Sequence, residues 1–187
     1  MADQKHSISS ENPRIREYVH DFGLCALNFI YLEHHLRLWL FHEAFFRAKW
    51  PPLPAKKLNS LKGKFAEMGL SDALKEIEKL GGHPEIVGRL RDIIPARNTL
   101  MHNPIQIADS ATLKTPDGRI AEVRRQLAIL SRAVNSLGNN IQYLNGRVMK
   151  ATVERIAATV PVKDEAERAR LIDRNKQLME FLEKYKP

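Results

Sequence analysis

Apolar residues recur three and four positions apart through most of the chain, which is the spacing of one face of an α-helix. The first helix is predicted to begin at Pro13, with Asn12 as its N-cap. From residue 22 to residue 46 two apolar stripes run along it and leave little face for solvent, so this helix is expected to be central. The stripes are Leu27, Tyr31, Leu38, Phe41 and Phe45, and Phe29, Leu32, Leu36 and Leu40.

Proline and glycine divide the next part of the chain. The segment Trp-Pro-Pro-Leu-Pro at 50–54 predicts a linker, because proline removes a backbone donor and restricts the residue before it. Two shorter helices follow at 56–68 and 71–80, with Ser71 as a cap and two glycines at 81–82 ending the second. Pro84 opens a helix over 84–102, with a kink at Pro95 and a stop at Asn103, which precedes Pro104.

The second half of the chain predicts longer helices. Residues 104–118 are typical of a loop or weak hairpin, and a helix over 119–159 follows, with an interruption expected at Asn139 and Asn140. An amphipathic helix is predicted after Pro161, within residues 163–187. Residues 1–11 are polar and expected to be flexible. The whole pattern predicts an all-α, single-domain helical bundle over residues 1–187, with a long first helix and long helices in the C-terminal half.

Composition narrows the class of protein. A chain of 187 residues with 43% hydrophobic content is long enough for one sizeable core. Its single cysteine, Cys25, allows no intrachain disulfide, and the chain opens without a secretory leader pattern, so a cytoplasmic location is expected. Charged residues and histidines interrupt the apolar stretch over 22–46, which argues against a membrane-spanning segment.

The net charge of +8 is unevenly placed. Residues 104–187 hold 15 Lys and Arg against 10 Asp and Glu, an excess that favours a polyanion such as nucleic acid. Most of these bases alternate with acids, however, and that arrangement is equally typical of a solvated helical surface. Charge alone therefore leaves both interpretations open.

The best candidate for chemistry is the segment that runs from Arg97 to His102 at the end of a predicted helix. Asn98 and His102 are four residues apart on one helical face, so the amide is expected to orient the imidazole. Arg97 lies about 140° around the helix from His102 by ideal geometry. The negative end of the helix dipole favours a protonated His102, which suits a proton donor.

The spacing of Arg97 and His102 does not by itself identify a functional site. Arg37 and His42 share it, so context must distinguish the Arg97 segment. That context is a polar residue directly after the arginine, a helix that stops just past the histidine and a long apolar helix to pack on. A purely structural interpretation also remains open, in which His102 and the following proline only end the helix and Arg97 is a surface cation.

At these residues the sequence resembles the HEPN superfamily of small helical bundles, which carry an arginine, a polar residue and a histidine near the end of a helix. The resemblance covers residues 97–102 and, more loosely, the order of the helices. It implies that Arg97 contacts phosphate, Asn98 is its polar partner and His102 transfers a proton. It also implies a homodimer that cleaves RNA without a metal or another cofactor.

The resemblance suggests two functions. The first is a metal-independent endoribonuclease that acts as a toxin or antiviral defence effector, with an antitoxin or regulatory protein as partner. The alternative is a non-catalytic dimeric adaptor or sensor that binds a protein, a nucleotide or RNA, because many members of the superfamily are thought to be inactive. What distinguishes the two is whether Arg97 and His102 converge in an open cleft or are separately held by other residues.

Other charged residues have competing interpretations. Glu33 either positions the Arg97 guanidinium or simply pairs with Arg37, four residues on. A zinc site is not expected, because adjacent histidines point about 100° apart and no cysteine or compact carboxylate set completes one. The histidines concerned are His34, His35 and His42. Without a glycine-rich loop, the lysines at 56, 57, 62 and 64 are interpreted as a solvated face.

Overall fold

A computed structural model describes residues 13–47, 55–81, 83–102 and 116–159, together with six single positions between 166 and 180. The described ranges form five helices and no strand, which confirms the all-α class. The helices are α1 (Pro13–Arg47), α2 (Ala55–Ala66), α3 (Leu70–Leu80), α4 (Pro84–His102) and α5 (Pro116–Thr159). The predicted linker at 50–54, the predicted stop after His102, the loop at 104–115 and most of the last helix lie outside the described residues. The six single positions are helical.

The two longest helices, α1 and α5, pack along each other and run in the same direction. Asp21 accepts a hydrogen bond from Arg124 at 2.7 Å, and Asn28 donates one to the Ser131 hydroxyl at 2.6 Å. His42 bonds Asn145 at 2.6 Å, and in all three pairs the partner lies 103 residues further along the chain. A constant separation of this kind requires parallel helices. The contacts on α1 also recur at multiples of seven residues, as in parallel coiled coils.

The core lies between this helix pair and the shorter helices. On α1 the buried residues are Cys25, Phe29, Leu32, Leu36, Trp39 and Leu40. They recur three and four apart and form one buried stripe along the helix. Helices α2 and α3 also contact α1, and α4 contacts both α3 and α5. The prediction that the first helix is central is therefore confirmed.

Glycine and proline set the turn between α3 and α4. Gly81 ends α3 in the left-handed region, with φ of 68°, and its N–H donates to the Glu78 carbonyl at 3.1 Å. Glycine has no Cβ, so this conformation carries no steric penalty there. Pro84 begins α4 as predicted. The helix then continues through Pro95 to His102.

Three local predictions are wrong. Helix α5 begins at Pro116, not after a loop that ends at 118, because proline suits the first helical position. It also runs through Asn139 and Asn140 without a break, since asparagine weakens a helix only slightly and packing on α1 offsets that cost. The cap of α3 is Gly69 with no side-chain hydrogen bond, which places Ser71 inside the first turn.

The prediction that α1 leaves little face for solvent is wrong in its N-terminal half. Leu27 is 50% exposed and Tyr31 is 62% exposed, with Leu24 and Ile30 also on the surface. Among the described helices, α2, α3 and α5 contact α1, and these contacts leave the outer side of its N-terminal half exposed. No helix among the described residues is both long and apolar enough to cross a bilayer.

Candidate active site

Arg97 lies at the junction of α4 with α1, five residues before the end of α4. Its Nη2 donates to Oε1 of Glu33 at 3.1 Å, across 64 residues of sequence. The Glu33 side chain is 15% exposed and that of Arg97 is 32% exposed. Removing part of the surrounding water strengthens the attraction between the two charges and restricts the guanidinium to one orientation.

Glu33 also holds Arg37, because its second oxygen, Oε2, accepts from Arg37 Nη2 at 3.3 Å. Arg37 in turn donates through Nε to the Met68 carbonyl at 2.6 Å. Both interpretations of Glu33 are therefore present together, as a contact to Arg97 and as a pair within α1. The role of Met68 was missed by sequence reasoning, since any residue type offers a backbone carbonyl and only the approach of α2 to α1 selects this one.

The remaining motif residues are on the surface. Arg97 Nη1 donates to the Asn98 side-chain oxygen at 3.4 Å, and both Asn98 and His102 are exposed. The expected hydrogen bond between Asn98 and His102 is absent from the contacts of residues 84–102. The structure thus joins Glu33, Arg97 and Asn98 by hydrogen bonds, and none of the contacts among the described residues joins His102, in the last turn of α4, to them.

One hydrogen-bond donor of this site, on Arg97, is unpaired among the described residues. Arg97 Nε is buried and has no hydrogen-bond partner among the described residues. Buried N–H groups are nearly always paired, so a lone one indicates strain or a contact completed by something else. A guanidinium that is fixed by a carboxylate and still has donors to offer is suited to bind a phosphate group.

The surface next to this site is apolar. Ile30, which is 60% exposed, lies three residues before Glu33 and so adjoins it on α1. Met101, beside His102 at the end of α4, is 49% exposed. Together with Leu24, Leu27 and Tyr31, Ile30 forms what we call the outer stripe of α1, residues 24–31. The polar site therefore lies at the edge of an uncovered apolar surface.

Neither a metal site nor a known relative identifies the function of this site. Among the described residues no three His, Cys, Asp or Glu side chains are grouped so as to hold a metal ion. Comparison of the chain with protein-family models, with curated proteins and with solved structures finds no match.

Proposed function

We propose that this protein is a metal-independent endoribonuclease of the HEPN type, in which Arg97 and His102 act on an RNA phosphodiester. The observation that carries the proposal is the Arg97 guanidinium, held at 3.1 Å by Glu33 from another helix while its side chain stays 32% exposed to solvent. A carboxylate that orients an arginine without using all its donors prepares it to receive a phosphate.

In the proposed reaction the ribose 2′-hydroxyl attacks the adjacent phosphorus. A bond forms from the 2′-oxygen to phosphorus and the bond from phosphorus to the 5′-oxygen breaks, which gives a 2′,3′-cyclic phosphate and a 5′-hydroxyl. His102 transfers a proton, and Arg97 stabilises the negative charge that develops on the phosphoryl oxygens. Base and acid are needed on opposite sides of the phosphorus.

A dimer would supply both groups. Within one chain Arg97 and His102 are about 140° apart around α4 by ideal helical geometry, and each chain offers one histidine in the motif. A two-fold axis beside the outer stripe would cover Leu27, Ile30 and Tyr31 and bring His102 of two chains near one phosphate. Large exposed apolar surfaces of this kind typically mark contact sites, and a two-fold interface pairs a patch with itself.

Incubation of the purified protein with a structured RNA, with and without EDTA, tests the activity. The RNA is expected to be cut in both cases, while DNA of the same sequence stays intact because it lacks the attacking 2′-hydroxyl. Polynucleotide kinase should transfer a radioactive phosphate from ATP to the new 5′-hydroxyl ends without prior removal of a phosphate. Loss of cleavage in EDTA would contradict the proposal, because no metal takes part in the reaction.

Variants assign the roles of the two residues. His102→Ala is expected to lower the cleavage rate by about 10²- to 10⁴-fold with the melting temperature unchanged, because His102 is exposed. His20→Ala, at an exposed histidine of α1 outside the motif, is the matched control and should cleave normally. Arg97→Lys should be nearly as damaging, since lysine lacks the paired donors of arginine. Unfolding of His102→Ala would instead make the histidine structural.

Mixed dimers test the shared site. Wild-type and His102→Ala chains are combined and assayed well above the dissociation constant of the dimer. If both chains contribute to one site, a single inactive chain should remove most of the activity of the mixed dimer. Retention of half the activity would show two independent sites and exclude the composite arrangement.

A non-catalytic adaptor is the second candidate, and the Glu33–Arg97 ion pair is the observation that favours it. Here the pair serves to join α1 and α4, and His102 is a surface residue apart from Arg97. This function predicts that Arg97→Ala lowers the stability by about 1–3 kcal/mol, since Glu33 loses a partner, while no RNA is cut by any variant. Cleavage by the wild type that is lost in His102→Ala would exclude it.

A further inference from the structure

A cleft between α1 and α2 lies next to the Glu33 network. Its volume is about 350 Å³, within the range of sites for small ligands, and it is open to solvent. Arg37 lines the cleft and also pairs with Glu33, so this residue connects the cleft to the candidate active site. The residues that give it chemical character are His34, Arg37, Phe41, His42, Lys62 and Phe65.

The charge of the cleft is one-sided. Arg37 and Lys62 line it and no carboxylate does. Neighbouring lysines are neutralised, as when Lys64 donates to Glu76 at 2.7 Å, whereas Lys62 has no ion pair among the described residues. Arg37 uses Nε for the Met68 carbonyl and Nη2 for Glu33, and this leaves Nη1 for a ligand. The cleft therefore favours an anion.

The rest of the cleft is aromatic. Phe65 of α2 is buried at 4% exposure, and Phe41 of α1 is packed against the same core, so their rings form a rigid apolar surface. His42 Nδ1 bonds the side-chain oxygen of the buried Asn145 at 2.6 Å. Because an amide oxygen only accepts, Nδ1 is the donor in this bond, and in the tautomer that carries hydrogen on Nδ1 alone Nε2 is a hydrogen-bond acceptor. Flat apolar surface, one acceptor and two cations suit a planar base attached to a phosphate.

We propose that the cleft is a nucleotide-binding site, with the phosphate held by Arg37 and Lys62 and the base against Phe41 and Phe65. Stacking of a base on an aromatic side chain is tolerant of base identity, so preference among the four bases is expected to be weak. The same chemistry is offered by a free mononucleotide and by one nucleotide of an RNA strand that passes the Arg97 site. Binding in the cleft does not require that Arg97 and His102 catalyse cleavage.

Occupation of the cleft has a consequence for Arg97. Arg37 and Arg97 share the two oxygens of Glu33, at 3.3 and 3.1 Å. A phosphate bound at Arg37 Nη1 leaves the contact of Nη2 with Glu33 in place and adds negative charge beside the carboxylate that also holds Arg97. The nucleotide site is thereby coupled to the candidate active site through a single carboxylate.

Calorimetric titration of the full chain with nucleoside monophosphates, the unphosphorylated nucleosides and inorganic phosphate tests the site. The monophosphates are expected to bind with one site per chain and at least tenfold more tightly than either part alone. Lys62→Glu should weaken monophosphate binding by tenfold or more. Lys57→Glu, at an exposed lysine of α2 outside the cleft, makes the same change of charge and should alter binding less than threefold. Phe41→Leu should weaken binding of the monophosphates but not of inorganic phosphate.

A short RNA with 2′-O-methyl groups, which cannot be cleaved by 2′-hydroxyl attack, distinguishes the two sources of the ligand. Displacement of the mononucleotide by this RNA, lost in Lys62→Glu, shows that the cleft accepts a nucleotide of a strand. Mononucleotide binding that the RNA does not displace identifies a site for the free molecule. The proposal is overturned if neither ligand binds at millimolar concentration, or if Lys62→Glu and Lys57→Glu weaken binding equally. Each of these results is independent of whether the protein cuts RNA.

Discussion

The two sides of α1 carry similar side chains and have opposite surroundings. On its buried side, Phe29, Leu32 and Leu36 are at most 3% exposed, and polar contacts join the helix to α5 at multiples of seven residues. On the other side, Leu27 and Ile30 are 50% and 60% exposed and end beside the Glu33–Arg97 pair. The first side supplies the stability of the fold. The second contributes little to it, which leaves its residues available for contacts with other molecules.

Leucine-to-alanine substitution on each side gives the largest expected difference. Leu36→Ala should lower the free energy of unfolding by about 2–5 kcal/mol, because it opens a cavity in a fully buried site. Leu27→Ala should change it by less than about 0.5 kcal/mol in dilute solution, since no core contact is lost. Urea unfolding monitored by circular dichroism measures both. Equal losses in the two variants would mean that the outer stripe is covered within one chain.

The next largest loss of stability is expected at the contact between His42 and Asn145, near the C-terminal end of α1. Asn145→Ala leaves His42 Nδ1 without its 2.6 Å partner and should destabilise the protein by about 1–3 kcal/mol. Ser131→Ala removes the partner of Asn28, which is only partly buried and can bond water instead, so its loss should be smaller. If Asn145→Ala proved neutral, the contact would not help to fix the register of α1 on α5.

The stability of the protein is expected to depend on pH through His35, which is half-buried in α1, and not through its exposed neighbour His34. Burial, followed by the neighbouring charge of His34, lowers the pKa of the half-buried His35 from its usual value. In the unfolded chain His35 takes up a proton near pH 6.5, and in the folded chain only at lower pH. Stability is therefore fully present above about pH 6.5 and falls as the pH drops.

His35→Gln should flatten the decline in melting temperature between pH 7 and 5. His34→Gln, at the exposed neighbour, serves as the control and should retain most of the decline. An identical slope in both variants would show that His35 is not responsible for the acid sensitivity.

The smallest effect is expected at Gly138, which is buried in α5 and lies level with His35 by the constant separation of 103 residues. A Cβ built there has no contact within 4 Å, so alanine fits without displacing a neighbour. Gly138→Ala should raise the free energy of unfolding by about 0.5–1 kcal/mol, because alanine reduces the freedom of the unfolded chain. A loss of stability would mean that the two helices pack more closely at this level than at the polar contacts on either side.

Sequence alone predicted several helix boundaries to within a few residues, and it singled out the motif. The prolines at 13 and 84 fixed two helix starts, and Gly81 fixed one end, because these residues act on their own backbone. The segment from Arg97 to His102 was selected from residue types that suit phosphate chemistry. These signals are local, and so they survive without any knowledge of the neighbours in space. The role of the motif remains a prediction.

Tertiary structure decided which apolar residues are buried and which charges meet. Leu27 and Leu36 both continue apolar stripes of α1, and only the packing of the other helices makes Leu36 part of the core. Glu33 had two possible partners on sequence grounds. It pairs with Arg37 within α1, and the approach of α4 to α1 adds Arg97 as a second partner. Burial and ion pairing depend on segments far apart in the chain, whereas a helix boundary depends on a few successive residues. The uncovered stripe and the shared carboxylate therefore became visible only in the folded chain.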